Sequence, residues 1–77
     1  MISPYQAFPV TKNTVVGTLT DQPLDNTQRI VHLQETGDLT LNFDDGSSVT
    51  VTLLGGMDVV LDGAATTLTT TVDVLLS

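Results

Sequence analysis

Cysteine is absent from this chain of 77 residues, and the sequence contains only one histidine, His32. Disulfide bonds and thiolate zinc sites, the usual supports of very small domains, are therefore excluded. Only three side chains are aromatic, so the core is expected to consist of Val, Leu and Ile. Because a domain of this length buries only about 60% of its unfolded surface, we expect contacts with a partner to add stability.

Positive charge is also scarce. Lys12 and Arg29 face nine acidic residues, which gives a formal net charge of -7. Nucleic acid and anionic membranes would repel such a chain, so we expect neither as a partner. The first residues lack the basic and apolar regions of a secretion signal, and no apolar run could span a bilayer. We therefore expect synthesis in the cytoplasm.

Helical periodicity is lacking, whereas alternation of apolar and polar residues is common. Turn signals recur about every ten residues, a spacing typical of a small β-sandwich or barrel. The sequence therefore predicts an all-β, antiparallel and jelly-roll-like domain over residues 14–77, with about six or seven short strands. The predicted strands cover residues 14–20, 27–34, 37–43, 47–54, 57–61 and 68–76, with a loop at 21–26.

A β-hairpin over residues 36–57 is the clearest predicted element. Three apolar residues of each run share one side of the strand: Leu39, Leu41 and Phe43 in the first run, and Val49, Val51 and Leu53 in the second. This period of two is typical of half-buried strands. Asp44, Asp45 and Gly46 form the predicted turn, because Asp before Gly is favoured where the backbone adopts left-handed angles.

Residues 1–13 are predicted to form an extended N-terminal arm. Pro4 and Pro9 oppose a helix and fit poorly in a central strand. The arm carries four spaced apolar anchors, namely Ile2, Tyr5, Phe8 and Val10. Either the arm is a terminus that frays or folds over its own core, or its anchors dock on a neighbouring subunit.

The edges of the predicted sheets have few protecting charges. Lysine commonly prevents exposed strands from pairing with other chains, and the single lysine here, Lys12, lies in the arm. We therefore expect some edges to be covered when the protein is assembled, either by another subunit or by a neighbour's arm.

Candidate chemical sites each have a simpler structural interpretation. The acidic turn at Asp44 and Asp45, with Asp38 or Asp62, could offer oxygen ligands to calcium, but the spacing of an EF-hand loop is absent. We expect an ordinary turn and no metal. His32 alternates with Ile30 on one strand, which favours a packed or interface imidazole over a catalytic one.

Motifs of catalysis are not found either. Ser, His and Asp occur without a nucleophile elbow or an oxyanion motif, and no Lys follows Gly55 and Gly56 as in a phosphate-binding loop. We therefore expect no enzymatic activity and no cofactor.

The run RIVHLQETGDLTLNFDDGSSVTVTLLGGMDVVL resembles small all-β virion proteins of tailed phages, including head decoration or cement proteins and head-spike base proteins. The resemblance lies in an apolar strand, a Gly-Asp start, an Asp-Gly turn between alternating strands, and a later Gly. These positions are Ile30–Leu33, Gly37, Asp38, Leu39–Phe43, Asp45, Gly46, Val49–Leu53 and Gly56. Asp58 and Asp62 replace the basic character of that family's next strand.

The resemblance implies a structural protein on the exterior of a capsid, synthesised in a host cytoplasm. Its partners would be the major capsid protein and copies of itself, as a trimer or pentamer. Such a protein would decorate or cement capsid subunits. The alternatives are the base of a head vertex spike or fibre, or a carbohydrate-binding fibre module.

Overall fold

The computed structural model describes residues 10–77, and strands are the only regular secondary structure in this part of the chain. Eight strands follow one another: β1 (Val15–Gly17), β2 (Gln22–Pro23), β3 (Ile30–Leu33), β4 (Gly37–Phe43), β5 (Ser48–Leu53), β6 (Asp58–Val60), β7 (Ala65–Thr70) and β8 (Val74–Leu76). The all-β prediction is confirmed, but the strand number is higher than the six or seven predicted.

The strands form two four-stranded antiparallel sheets. Sheet A has the order β1-β8-β3-β6, and sheet B has the order β2-β7-β4-β5. Strands that follow one another along the chain lie in different sheets, except for β4 and β5, which form a hairpin. This arrangement makes nearly every connection cross from one sheet to the other.

A hydrophobic core joins the two sheets. Its buried members come from strands of both sheets and from two connections: Val31, Leu33, Val74 and Leu76 in sheet A, Leu39 and Leu68 in sheet B, and Leu19 and Leu61 outside the strands. Each of these side chains is at most 5% exposed. The cluster consists of Val and Leu, as the scarcity of aromatic residues predicted.

The β4–β5 hairpin pairs without interruption from Gly37 opposite Leu53 to Asn42 opposite Ser48. At its tip the Phe43 N–H donates to the Ser47 carbonyl at 2.8 Å, and the Gly46 N–H donates to the Phe43 carbonyl at 3.1 Å. Gly46 has a φ of 88°, a left-handed conformation in which glycine is favoured. The left-handed backbone that the Asp-Gly pair predicted for this turn is therefore present at Gly46.

The last predicted strand, residues 68–76, is wrong as a single element. β7 ends at Thr70 in sheet B, and β8 begins at Val74 in sheet A. Both strands turn the same set of alternate residues inward, so Leu68, Thr70, Val74 and Leu76 are all buried. The alternation continues through the crossover, and a pattern of period two therefore gives no sign of the break.

The predicted loop at 21–26 contains a short strand, β2, which pairs with Leu68 and Thr67 of β7. Asp21, with a φ of 47°, leads into it. Pro23 lacks an N–H, but its position on the edge of sheet B makes the missing donor harmless. A strand of two residues is too short to show alternation, and its proline argued for a loop, so the sequence could not predict β2.

Candidate interaction surfaces

The outer face of sheet A carries an apolar surface, here called the sheet A patch, made of Val16, Ile30, Val60 and Leu75. These residues alternate with inward residues of the same strands, and cross-strand pairing places Val16 opposite Leu75 and Ile30 opposite Val60. Val16 is 65% exposed and Val60 is 77% exposed, whereas Ile30 and Leu75 are partly exposed. Each strand of the sheet contributes one member; Leu75 lies directly opposite His32 of β3, so Leu75 and Ile30 are diagonal neighbours.

His32 lies beside this patch, opposite Leu75 and Asp58 in the two neighbouring strands. Its Nδ1 is 2.5 Å from Oδ1 of Asp58, and the two side chains are 30% and 41% exposed. The histidine is therefore part of an outward-facing pair. The pair places an acidic group, Asp58, next to the sheet A patch.

The outer face of sheet B has the opposite character. Cross-strand pairing places Thr40 between Thr50 and Thr69, and Asn42 between Ser48 and Thr67. Several of these side chains form hydrogen bonds with each other. The Thr40 and Thr50 hydroxyls are 2.9 Å apart, and the Asn42 amide donates to the Thr67 hydroxyl at 2.8 Å. This face consists of short polar groups and one carboxylate, Asp38, which accepts from the Thr52 hydroxyl at 2.6 Å.

The β5 side of the hairpin is less covered than the alternation predicted. Val49 and Val51 share a face with buried Leu39, yet they remain 49% and 39% exposed. They lie on the edge strand of sheet B, which is longer than any strand of sheet A. The facing sheet therefore does not extend over them, and two apolar side chains remain accessible.

Four strands form the edges of the sheets in the described residues: β1, β6, β2 and β5. The first two have three residues each, and β2 has two and ends in Pro23. β6 also carries a charge, Asp58. β5, by contrast, has six residues, SVTVTL, without charge, proline or glycine. It is the one edge in this part of the chain that lacks every usual protection against pairing.

The hairpin turn places Asp44, Asp45 and Gly46 on the surface. Oδ1 of Asp45 accepts hydrogen bonds from the Ser47 hydroxyl at 2.6 Å and from the Ser47 N–H at 2.9 Å. The hydroxyl contact, followed by the backbone contact, lowers the pKa of Asp45 below its ordinary value of 3.8. This carboxylate is therefore occupied by its own loop, and the described residues contain no group of three or more potential metal ligands.

An aspartate also stabilises the loop between β2 and β3, through hydrogen bonds like those of Asp45. Oδ1 of Asp25 accepts from the Thr27 hydroxyl at 2.7 Å, from the Thr27 N–H at 2.8 Å and from the Gln28 N–H at 3.0 Å. The Thr27 hydroxyl is the largest cause that lowers the pKa of Asp25. Both of these acidic side chains thus stabilise local turns.

A recess of about 250 Å³ lies near the start of the described chain. Its lining consists of Thr11, Lys12, Asn13, Thr27, Gln28 and Ser77. The side-chain amide of Gln28 donates to the Asn13 carbonyl at 2.9 Å and thereby fixes one wall. Lys12 is the one charged side chain of the lining, so the recess presents hydroxyls, amides and a single cation.

The predicted docking arm lies mostly outside the described residues. Ile2, Tyr5 and Phe8 belong to the part of the chain that the structure does not describe. Val10, the fourth anchor, is 70% exposed, and a turn at 11–14 follows it. The docking of the arm therefore stays a prediction.

Sequence reasoning did not identify the sheet A patch. Its four members come from strands distant in sequence, and only the sheet order brings them together. The run at residues 59–61 is apolar at successive positions, which was the available signal that this strand has two apolar sides. The pattern could not tell which side faces outward.

Among the described residues there is no helix that could cross a membrane. No protein-family model matches this chain, and no curated protein or solved structure matches it either.

Proposed function

We propose that this chain is a structural protein of a tailed-phage virion that binds the exterior of the capsid as a decoration or cement protein. The observation that carries the proposal is the contrast between the two outer faces. The outer face of sheet A carries the Val, Ile and Leu side chains of its patch, whereas that of sheet B carries Thr, Ser, Asn and Asp38. A small module that is attached by one face and hydrated on the other has this distribution of side chains.

The strand order gives further support. In an eight-stranded jelly roll the chain passes back and forth between two sheets, and this fold is common in viral capsid domains. The orders β1-β8-β3-β6 and β2-β7-β4-β5 correspond to that path. The jelly-roll-like connectivity is thus part of the proposal, and it agrees with the resemblance of residues 29–61 to phage head proteins.

The partner of the sheet A patch is then an apolar area of the major capsid protein that is flanked by basic residues. Asp58 lies at the rim of the patch, and the chain as a whole has a net charge of -7. A basic surround on the capsid would complement that charge and accelerate association. A second copy would bring like charges together at this face.

The proposal is tested by adding purified protein to heads of the encoding phage that were prepared without it. We expect saturable binding and a rise in the temperature at which the heads release DNA. Val16→Lys and Val60→Lys, both in the sheet A patch, should weaken binding at least tenfold. Thr40→Lys, which adds the same charge on the outer face of sheet B, serves as the matched control.

Failure to bind heads, or an equal loss with Thr40→Lys, would contradict the proposal. The number of copies per particle distinguishes a decoration protein from the alternative, the base of a vertex spike. Decoration of the capsid lattice requires copies across the whole surface, whereas a spike base is limited to the fivefold vertices.

A further inference from the structure

We propose that two copies of this chain associate through β5, in antiparallel register about a two-fold axis at Thr50. The pairing joins the two copies of sheet B into one continuous eight-stranded sheet. This inference does not rest on the proposed function, because it concerns the purified protein alone. It follows from the backbone directions, the side chains and the charges of one edge strand.

The backbone of β5 has free hydrogen-bonding groups at alternate residues. The Phe43 N–H bonds to Ser47, and the Thr71 N–H bonds to the Asp38 carbonyl at 3.1 Å. Odd-numbered residues of β4 therefore bond to β5, and even-numbered ones bond to β7. Since bonded pairs alternate in an antiparallel ladder, Val49, Val51 and Leu53 bond to β4. The N–H and C=O groups that point outward belong to Ser48, Thr50 and Thr52.

The register follows from the need to pair all three outward residues. With the two-fold axis at Thr50, this residue meets Thr50 of the second copy, and Ser48 meets Thr52 at both ends. Every outward N–H and C=O of the strand then gains a partner. An axis at Val49 or Val51 would leave one outward residue of each copy without a strand partner, so the Thr50 register satisfies the most groups.

Side chains on both faces agree with this register. Val49 of one copy lies opposite Val51 of the other as a non-hydrogen-bonded pair, the arrangement in which side chains approach most closely. These are the two valines that the sandwich leaves 49% and 39% exposed. On the other face, Thr50 meets its symmetry mate beside Thr40, which extends the rows of short polar groups.

Charge and strand length identify a second copy as the occupant. No charged residue lies in β5, so the two paired strands themselves bring no like charges together, although each chain has a net charge of -7. Asp45 falls opposite Gly55 of the second copy, whose backbone lies beside that copy's Glu35, so like charges approach each other only beyond the ends of the paired strands. The remaining edge strands have three residues or fewer, so only β5 itself offers six residues to pair with.

A two-fold contact closes on itself, so it produces a dimer and not the trimer or pentamer that the family resemblance implies. One strand from each copy forms a small interface, and we expect a dissociation constant of about 1–100 μM. Added salt should strengthen the dimer, because it screens the repulsion between two acidic chains.

The experiment uses single cysteines, which are unambiguous because the natural chain has none. Paired residues at the axis have Cα atoms about 5.5 Å apart, within the range that a disulfide spans. Thr50→Cys should therefore form a covalent dimer under mild oxidation. Ser48→Cys should not, because the two copies of residue 48 are separated by about 13 Å along the strands.

A mixture of Ser48→Cys and Thr52→Cys chains should cross-link to each other, since these positions are opposite in the proposed register. Equal cross-linking of Thr50→Cys and Ser48→Cys would overturn the proposal. So would a natural chain that sediments as a monomer at about 500 μM, well above the expected dissociation constant.

Thr50→Pro gives an independent readout. Its N–H points away from β4, so proline removes a donor of the dimer and none of the hairpin. We expect a monomer with an unchanged circular dichroism spectrum, whereas Thr50→Ala should still dimerise. Deletion of residues 1–9 should leave the dimer intact. Loss of the dimer in that variant would identify the arm as the occupant and overturn the proposal.

Discussion

Leu19 and Thr70 are joined by two hydrogen bonds at the place where the chain leaves sheet B. The Thr70 hydroxyl accepts from the Leu19 N–H at 3.0 Å, and the Leu19 carbonyl accepts from the Thr70 N–H at 2.9 Å. The same hydroxyl donates to the Val72 carbonyl at 2.9 Å. Thr70 is only 4% exposed, and it thus gives hydrogen-bond partners to the backbone of Leu19 and of Val72 next to the core.

Replacement of this hydroxyl should be costly even though the side chain keeps its shape. Thr70→Val leaves the buried Leu19 N–H without its acceptor, and we expect the free energy of unfolding to fall by about 1–3 kcal/mol. Urea denaturation measures the change. Thr70→Ser keeps the hydroxyl and is the matched control. A loss with valine no larger than the loss with serine would show that the hydroxyl contributes nothing.

Acid should weaken the Asp25 turn. The pKa of Asp25 is lowered in the folded state, mainly by the Thr27 hydroxyl. Its carboxylate therefore stabilises the fold above the ordinary pKa of 3.8, and this contribution is lost as the pH falls through the lower, folded-state pKa. Thr27→Ala should raise the pKa of Asp25 towards the ordinary value.

Titration of the side-chain carboxyl signals by nuclear magnetic resonance measures this pKa directly. Asp45 is the internal control, because its pKa depends on Ser47 in a different loop. Ser47→Ala should produce the reverse pattern. An unchanged Asp25 titration in Thr27→Ala would contradict the assigned cause.

Gly55 should resist substitution because of a close backbone contact. A Cβ added there would lie 2.8 Å from Cα of Glu35 and 3.0 Å from the backbone N of Thr36. Backbone atoms cannot move aside as a flexible side chain can, so Gly55→Ala should lower the free energy of unfolding by about 1–3 kcal/mol. Gly63 is the control, since an added Cβ there meets nothing within 4 Å.

Thermal or urea unfolding of the two glycine variants gives the comparison. We expect Gly63→Ala to remain within about 0.5 kcal/mol of the natural chain. Equal stabilities of the two variants would mean that the contact between residues 35–36 and 55 is loose in solution.

The local elements of this protein were largely predictable from its residues. β4 has the predicted bounds, and β5 differs by one residue at each end, because period-two alternation and an Asp-Gly turn are local signals. The break between Thr70 and Val74 was not predictable. Both sheets bury the same alternate residues, so the crossover leaves the pattern intact.

The sequence by itself determined the all-β class, the hairpin and a core without large rings. Those properties depend on residue type and on neighbours along the chain. Only the tertiary structure decided that Val16, Ile30, Val60 and Leu75 share an outer face, and that β5 is the long unprotected edge. The physical reason is that strand order and sheet coverage arise from contacts between distant residues, which no period along the chain records.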